Sequence, residues 1–322
     1  MSAPRQKLLV ARVSHEAQDV VSIELREPQG AELPPWQPGA HIDMHLPSGL
    51  VRQYSLCSDP EDRTLYKVAV LRATDSRGGS SEVHNTDIEG RILEISGPRN
   101  HFALCEAENY LLVAGGIGVT PILAMVRELA KQGLRWSMIY GGRTRTSMAF
   151  TAELAELAEL AGAIDIVPHD ERGLPDLDAA ISVCPPGTAV YCCGPEPMLQ
   201  AVQALCAQHL PAGALHVERF TAAATASRAP TTQDHEFEVE LARSGEVLAI
   251  PADRTVLDAV LDVLPGTPYS CREGYCGTCE TAVLEGVPEH RDDVLTEDEQ
   301  ANNDIMMICV SRSKSQRLVL DL

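Results

Sequence analysis

Three thiols fall within nine residues, Cys271-Arg-Glu-Gly-Tyr-Cys276-Gly-Thr-Cys279, and a fourth, Cys309, follows after 29 intervening residues. The spacing C-x4-C-x2-C…C is that of four thiolates holding the two irons of a plant-type [2Fe-2S] cluster. A chain built around it must fold Cys309 back onto the loop. Glycines at 274 and 277 let the backbone wrap closely and turn N–H groups toward inorganic sulfide. Zinc competes as a guest for four thiols, but its modules usually present two Cys-x2-Cys knuckles, and here there is one.

Charge and cysteine usage narrow the setting. A net charge of -20 and a pI near 4.8 argue against nucleic acid and anionic membrane as partners, since both would repel the chain. A partner docked by charge would carry a basic patch. The start, MSAPRQKLLVARV, has only a brief apolar run broken by Arg12, so no signal peptide is expected, and no segment is long enough to span a bilayer. The expected location is the cytoplasm, where ten cysteines are metal ligands or small buried groups rather than a disulfide framework.

Hydrophobic periodicity divides the chain. From residue 8 to about 105 the apolar residues alternate (LLVARV, VSIEL, HIDMHL, LYKVAVL, RILEIS), which predicts an antiparallel β-barrel or sandwich. From Tyr110 the pattern becomes a continuous apolar run, YLLVAGGIGVTP, then a helical repeat with a Gly stop. Strand and helix alternate from there, which predicts an α/β domain with a parallel sheet. TAAATASRAPTTQDH has no apolar period and reads as a linker. Beyond it FEVELARSGEVLAI reads as a hairpin around Ser244-Gly245, and TVLDAVLDVL as a short helix. The expected parts are residues 1–106, 107–222, a linker at 223–235, and 236–322.

CREGYCGTC, together with MMICVSRSKSQRLVLDL at the end, resembles the ferredoxin domain that closes members of the phthalate dioxygenase reductase family. Other segments fit that resemblance in order. Arg52-Gln-Tyr54-Ser55-Leu is similar to the family's flavin motif, in which an arginine pairs with phosphate, an aromatic lies along the flavin, and a serine hydroxyl bonds flavin N5. Ser76-Arg77-Gly78-Gly79-Ser80 can form a phosphate cradle at a helix start, from backbone N–H groups, a hydroxyl and a charge. Gly115-Gly116-Ile-Gly118-Val-Thr120-Pro lets a pyrophosphate approach a helix N-terminus, and in the family its threonine side faces flavin and nicotinamide. Cys193-Gly194-Pro195 resembles the family's C-G-P motif beside the nicotinamide, whereas Cys192 reads as a buried strand residue. Phe220 stands where the family has an aromatic at the flavin face, and reads equally well as a core residue.

The resemblance implies a multidomain chain with an antiparallel β-barrel for the flavin, a parallel-sheet nucleotide domain, and an α+β plant-type ferredoxin (β-grasp) domain. It implies FMN, with FAD as the alternative, and a [2Fe-2S] cluster on Cys271, Cys276, Cys279 and Cys309. NADH is the expected donor, although Arg143 and Arg145, just past a strand end, would suit the 2′-phosphate of NADPH. Ser55, Thr120 and Cys193 are expected to shape the hydride-transfer site. The expected partner is a Rieske-type oxygenase acting on an aromatic acid or aryl ether, served by a monomeric shuttle. The alternatives are a redox-binding module with a degenerate nucleotide domain, or a reductase for another acceptor. A complete monooxygenase in one chain would need an oxygen-activating site, and no such signature is evident. His169-Asp170 reads as a solvated strand end.

Overall fold

A computed structural model describes residues 5–73, 78–220 and 234–322. The alternating segment forms six antiparallel strands: β1 (Arg5–Ala17), β2 (Val20–Arg26), β3 (Ala40–His45), β4 (Val51–Ser55), β5 (Tyr66–Leu71) and β6 (Ile92–Asn100), ordered β4-β3-β6-β1-β2-β5. A period of two sends every second side chain inward. Leu8, Val10, Ile23, Leu25, Ile42, Met44 and Ile95 accordingly line a buried core. The outer strands also meet. Leu56 bridges Val68, and the Cys57 N–H donates to the Lys67 carbonyl at 2.8 Å, so the sheet curls toward a barrel. Helix α1 (Gly79–Asn85) lies between β5 and β6.

The next stretch runs β7 (Asn109–Gly115), α2 (Val119–Gln132), β8 (Arg135–Gly142), α3 (Thr151–Ala161), β9 (Gly162–Pro168), α4 (His169–Arg172), α5 (Leu177–Ile181), β10 (Thr188–Cys193), α6 (Glu196–His209) and β11 (Leu215–Glu218). Its strands pair parallel in the order β11-β10-β7-β8-β9. Helices on both faces explain why β7 and β10 read as unbroken apolar runs. The Gly stop after α2 is Gly133, left-handed at φ 65, its N–H bonded to the Ala130 carbonyl.

The barrel and the parallel sheet, read as separate domains from their periodicities, share one core. Ala17, Val20, Cys57 and Ala69 of the barrel belong to the same buried cluster as Val119, Ile122 and Val126 of α2. Arg127 of α2 reaches across to the Cys57 carbonyl and to Glu153. Residues up to Arg219 therefore form one compact unit.

The second unit, from Phe220, contains β12 (Phe237–Leu241), β13 (Glu246–Ile250), α7 (Val256–Val263), β14 (Glu280–Glu285), β15 (Pro288–Glu289), α8 (Glu297–Asn302), β16 (Ile305–Met307), β17 (Arg312–Ser313) and β18 (Arg317–Leu320). Its main sheet is ordered β13-β12-β18-β14-β16, with β12 and β18 parallel and the other pairs antiparallel. Thr255 caps α7 by accepting the Asp258 N–H at 3.0 Å, and Val256, Leu257 and Val260 pack on Phe237, Val239 and Leu318. Arg312, 1% exposed, donates to the carbonyls of Arg254, His235 and Pro251, which makes its burial tolerable. Asp234 and His235, read as the end of the linker, are held in this unit: Asp234 pairs with Arg291 at 2.7 Å. Residues 223–233 of the expected linker lie outside the described residues. No helix among the described residues is long and apolar enough to cross a membrane.

Candidate functional site

The parallel sheet reverses its strand order between β7 and β10, and such a switch point opens a crevice at the strands' C-terminal ends. Gly115 leads there into the turn Gly116–Gly118 and α2, while Cys193 leads through Gly194 and Pro195 into α6. The two loops touch backbone to backbone. A Cβ on Gly118 would fall 2.2 Å from the Cys193 carbonyl oxygen, so only glycine fits. Gly115 and Gly194 face each other in the same contact.

Thr120 is buried and its hydroxyl donates to the Ile117 carbonyl at 3.0 Å, so it pins the loop. Two helix N-termini flank the crevice. That of α6 carries Glu196, paired with Arg219 at 3.3 Å, whereas the first turn of α2 has no acidic residue. The α2 end is therefore the better anion site.

The end of β4 brings Ser55 to the same region. Its hydroxyl donates to Glu218 Oε2 at 3.4 Å, and Glu218 stands beside Cys193 in the β10/β11 register. Burial pushes the Glu218 carboxyl up to about 8, opposed by the Ser55 hydroxyl, although the residue keeps part of its surface accessible. Burial, with the Glu218 charge behind it, also drives the Cys193 thiol well above its ordinary range. Glu218 is the site residue that sequence reasoning passed over in favour of Phe220, which is 37% exposed. The available signal was an acid at the C-terminal end of the last parallel strand.

A pH effect follows. The Glu218 carboxyl is neutral below about 8 and charged above it, and stability is lost as pH rises from about 4.5, the ordinary Glu value, through about 8. NADH-dependent reduction should therefore bend near pH 8 in the wild type and be flat there in Glu218→Gln. Stopped-flow rates across pH 6.5–9.5 test this, and an unchanged bend in the variant would remove Glu218 from the site.

Arg52 lies across the start of α1, where a Cβ on Gly79 would come within 2.5 Å of its Nε, and Gly78 before it takes φ 95. Ser80 accepts the Ala73 N–H at 3.2 Å, joining the two ends of the segment that carries Arg77. Arg77 itself lies outside the described residues. Tyr54 packs partly against the barrel core, and burial raises its hydroxyl above the usual range. Arg52 and the Gly78–Ser80 backbone thus come together, with Tyr54 and Ser55 on the strand that carries Arg52.

In the second unit Cys276, Cys279 and Cys309 are buried and Cys271 is half-buried. The thiols meet in two pairs, Cys271 with Cys276 and Cys279 with Cys309, and Cys271 also reaches Cys309. Hydrogen bonding to Cys271 and burial both push the Cys276 thiol up. Among the described residues no three His, Cys, Asp or Glu side chains gather as a single metal ion would need. A binuclear cluster instead asks for two thiolates on each iron, which suits paired thiols. The loop winds through positive φ at Arg272, Gly274 and Gly277, and the Glu273 N–H points at Cys271 Sγ at 3.3 Å.

Of the two arginines after β8, Arg143 is exposed, and Arg145 is forked onto Glu171 at 2.8 and 3.1 Å. His169 and Asp170 open α4, where the Asp170 N–H bonds the Arg143 carbonyl at 3.2 Å.

Known proteins match both regions. Residues 239–314 fit the 2Fe-2S iron-sulfur cluster binding domain and residues 112–204 the oxidoreductase NAD-binding domain. The phenoxybenzoate dioxygenase subunit beta of Ectopseudomonas oleovorans is 44% identical over 320 residues, 98% of this chain and 97% of its own. The phthalate dioxygenase reductase of Burkholderia cepacia is 40% identical over 332 residues, with both chains fully covered. The structure of an intact type IV self-sufficient cytochrome P450 monooxygenase superposes on 99% of this chain, with a TM-score of 0.91 and 40% identity. The match spans only 41% of that P450 chain.

Proposed function

We propose, because the chain belongs to the phthalate dioxygenase reductase family, that it passes electrons from NADH through FMN and a [2Fe-2S] cluster to a Rieske-type non-haem iron oxygenase acting on an aromatic acid or aryl ether. FMN supplies the conversion of a two-electron hydride into single electrons that the cluster can accept. The observation that carries this reading is the meeting of Ser55, Cys193 and Glu218 at the β7/β10 crevice within one unit.

The chain's own residues have distinct tasks. The α2 N-terminus, with Gly115, Gly116 and Gly118, receives the dinucleotide pyrophosphate, and Gly194 and Pro195 hold the facing wall. Arg52 with Gly78, Gly79 and Ser80 would hold the flavin phosphate, and Tyr54, on the same strand as Arg52, would face the flavin. Ser55 and Glu218 hold a proton between Oγ and Oε2 at the end of the crevice. Thr120 fixes the α2 turn. Cys271, Cys276, Cys279 and Cys309 would hold the cluster, whose irons would offset the cost of burying four thiolate charges there. The protein acts as a cytoplasmic monomer that docks and leaves.

An anaerobic titration tests the reading. NADH should bleach both flavin and iron-sulfur bands, with NADPH acting far less well. A coloured protein that neither nucleotide bleaches would sink it in favour of a redox-binding module. The P450 match supports a second acceptor, a haem monooxygenase. Turnover supported with one oxygenase type and not the other decides between them.

A further inference from the structure

The pair formed by Arg145 and Glu171 is not used in the reading above, and its position gives it a task. A dinucleotide with its pyrophosphate at the α2 N-terminus extends over the neighbouring strands. The ends of β8 and β9 lie one and two strand spacings from β7, about 5 and 10 Å. In folds of this kind an acidic side chain at such a strand end reads the ribose 2′-hydroxyl of NADH, or an arginine takes the 2′-phosphate of NADPH. This chain has both groups there, Arg145 after β8 and Glu171 after β9, and they hold each other in a two-bond fork.

The fork starts from a fixed platform. Thr144 and Ser147 form a capping box around the turn that carries Arg145. The barrel braces this turn, through the Gln18 N–H bonded to the Thr146 carbonyl at 2.8 Å. On the other side Arg172 of α4 pairs with Asp165, and the Asp170 N–H bonds the Arg143 carbonyl. Both groups are exposed, so the pair adds little to stability. Specificity, however, is a difference between two ligands, and modest energies settle it.

We propose that Glu171 is the residue that makes this chain reject NADPH, by occupying the Arg145 guanidinium and placing a carboxylate where a 2′-phosphate would sit. The ribose 2′-hydroxyl of NADH is neutral and leaves the fork intact. A 2′-phosphate must displace Glu171 from Arg145 and then endure its charge. The inference depends on the NADH-reductase reading.

The test uses the cofactor-loaded full chain in three forms: wild type, Glu171→Gln, and Glu171→Gln with Arg145→Gln. Calorimetry with adenosine 2′,5′-bisphosphate reads binding, and stopped-flow flavin reduction reads kcat/KM for each nucleotide. Freeing the guanidinium for a charge-assisted bidentate contact should tighten the bisphosphate about 10- to 100-fold in Glu171→Gln. The NADPH/NADH ratio should rise in step, and the double variant should lose the gain. Unchanged bisphosphate binding in Glu171→Gln overturns the proposal, as does a gain that survives loss of Arg145. A wild-type protein that NADH fails to reduce would overturn the reductase reading instead.

Discussion

Cys276→Ser should keep NADH–ferricyanide reductase activity while cytochrome c reduction falls by more than about a hundredfold, because the cluster is the outlet for single electrons. Cys276 is buried, and as one of the four proposed ligands it would serve the cluster as a thiolate. A serine hydroxyl gives up its proton far less readily and leaves one iron short of a ligand. The damage should remain local to the second unit, since residues up to Arg219 form a compact unit with their own core. Iron content and the visible spectrum should show flavin without iron-sulfur absorbance. Cys184→Ser is the control, since that half-buried thiol donates to the Ala180 carbonyl at 3.4 Å, far in sequence from the four clustered cysteines, and should behave as wild type. Undiminished cytochrome c reduction in Cys276→Ser would mean that electrons leave directly from the flavin.

What the sequence revealed about this path depended on whether the relevant interaction was local. The cysteine spacing, the Gly133 stop, the Ser244-Gly245 turn and the shift from period two to alternating strands and helices are each written within a few residues, and all reappear in the fold. The phosphate-facing glycines were legible for the same reason, although what makes Gly118 indispensable is a carbonyl 75 positions away at Cys193. Glu218 was not legible, because its importance comes from Ser55, 163 positions earlier. The paired state of Arg145 was equally hidden. An isolated arginine after a strand suggests a phosphate site, and only folding brings Glu171, 26 positions on, to occupy it. The family resemblance puts the Thr120 side toward flavin and nicotinamide, and only the folded turn ties its hydroxyl to the Ile117 carbonyl. The shared core of barrel and parallel sheet escaped for another reason: periodicity reports which face is buried, not against what.

Gly118→Ala should slow NADH-dependent flavin reduction about a hundredfold, the cost expected when reacting groups are displaced by about 1 Å. The added Cβ would sit 2.2 Å from the Cys193 oxygen and 2.5 Å from its carbon, and neither can rotate away as a side-chain tip could. Relief requires the α2 N-terminus to part from the Cys193–Pro195 loop, which widens the crevice by about the amount the clash demands. Gly116→Ala is the contrasting case. Gly116 has φ 55 but nothing within 4 Å of a Cβ, so alanine there costs about 1 kcal/mol of backbone strain without moving either loop. Flavin content, and reduction of flavin and cluster by dithionite, should be normal in both variants, showing that the units fold and load. Saturating NADH should not rescue the Gly118→Ala rate, because the defect lies in how nicotinamide and flavin are set against each other. If Gly118→Ala proves no slower than Gly116→Ala, the contact between the two loops does not govern hydride transfer, and the nicotinamide must bind away from the β7/β10 crevice.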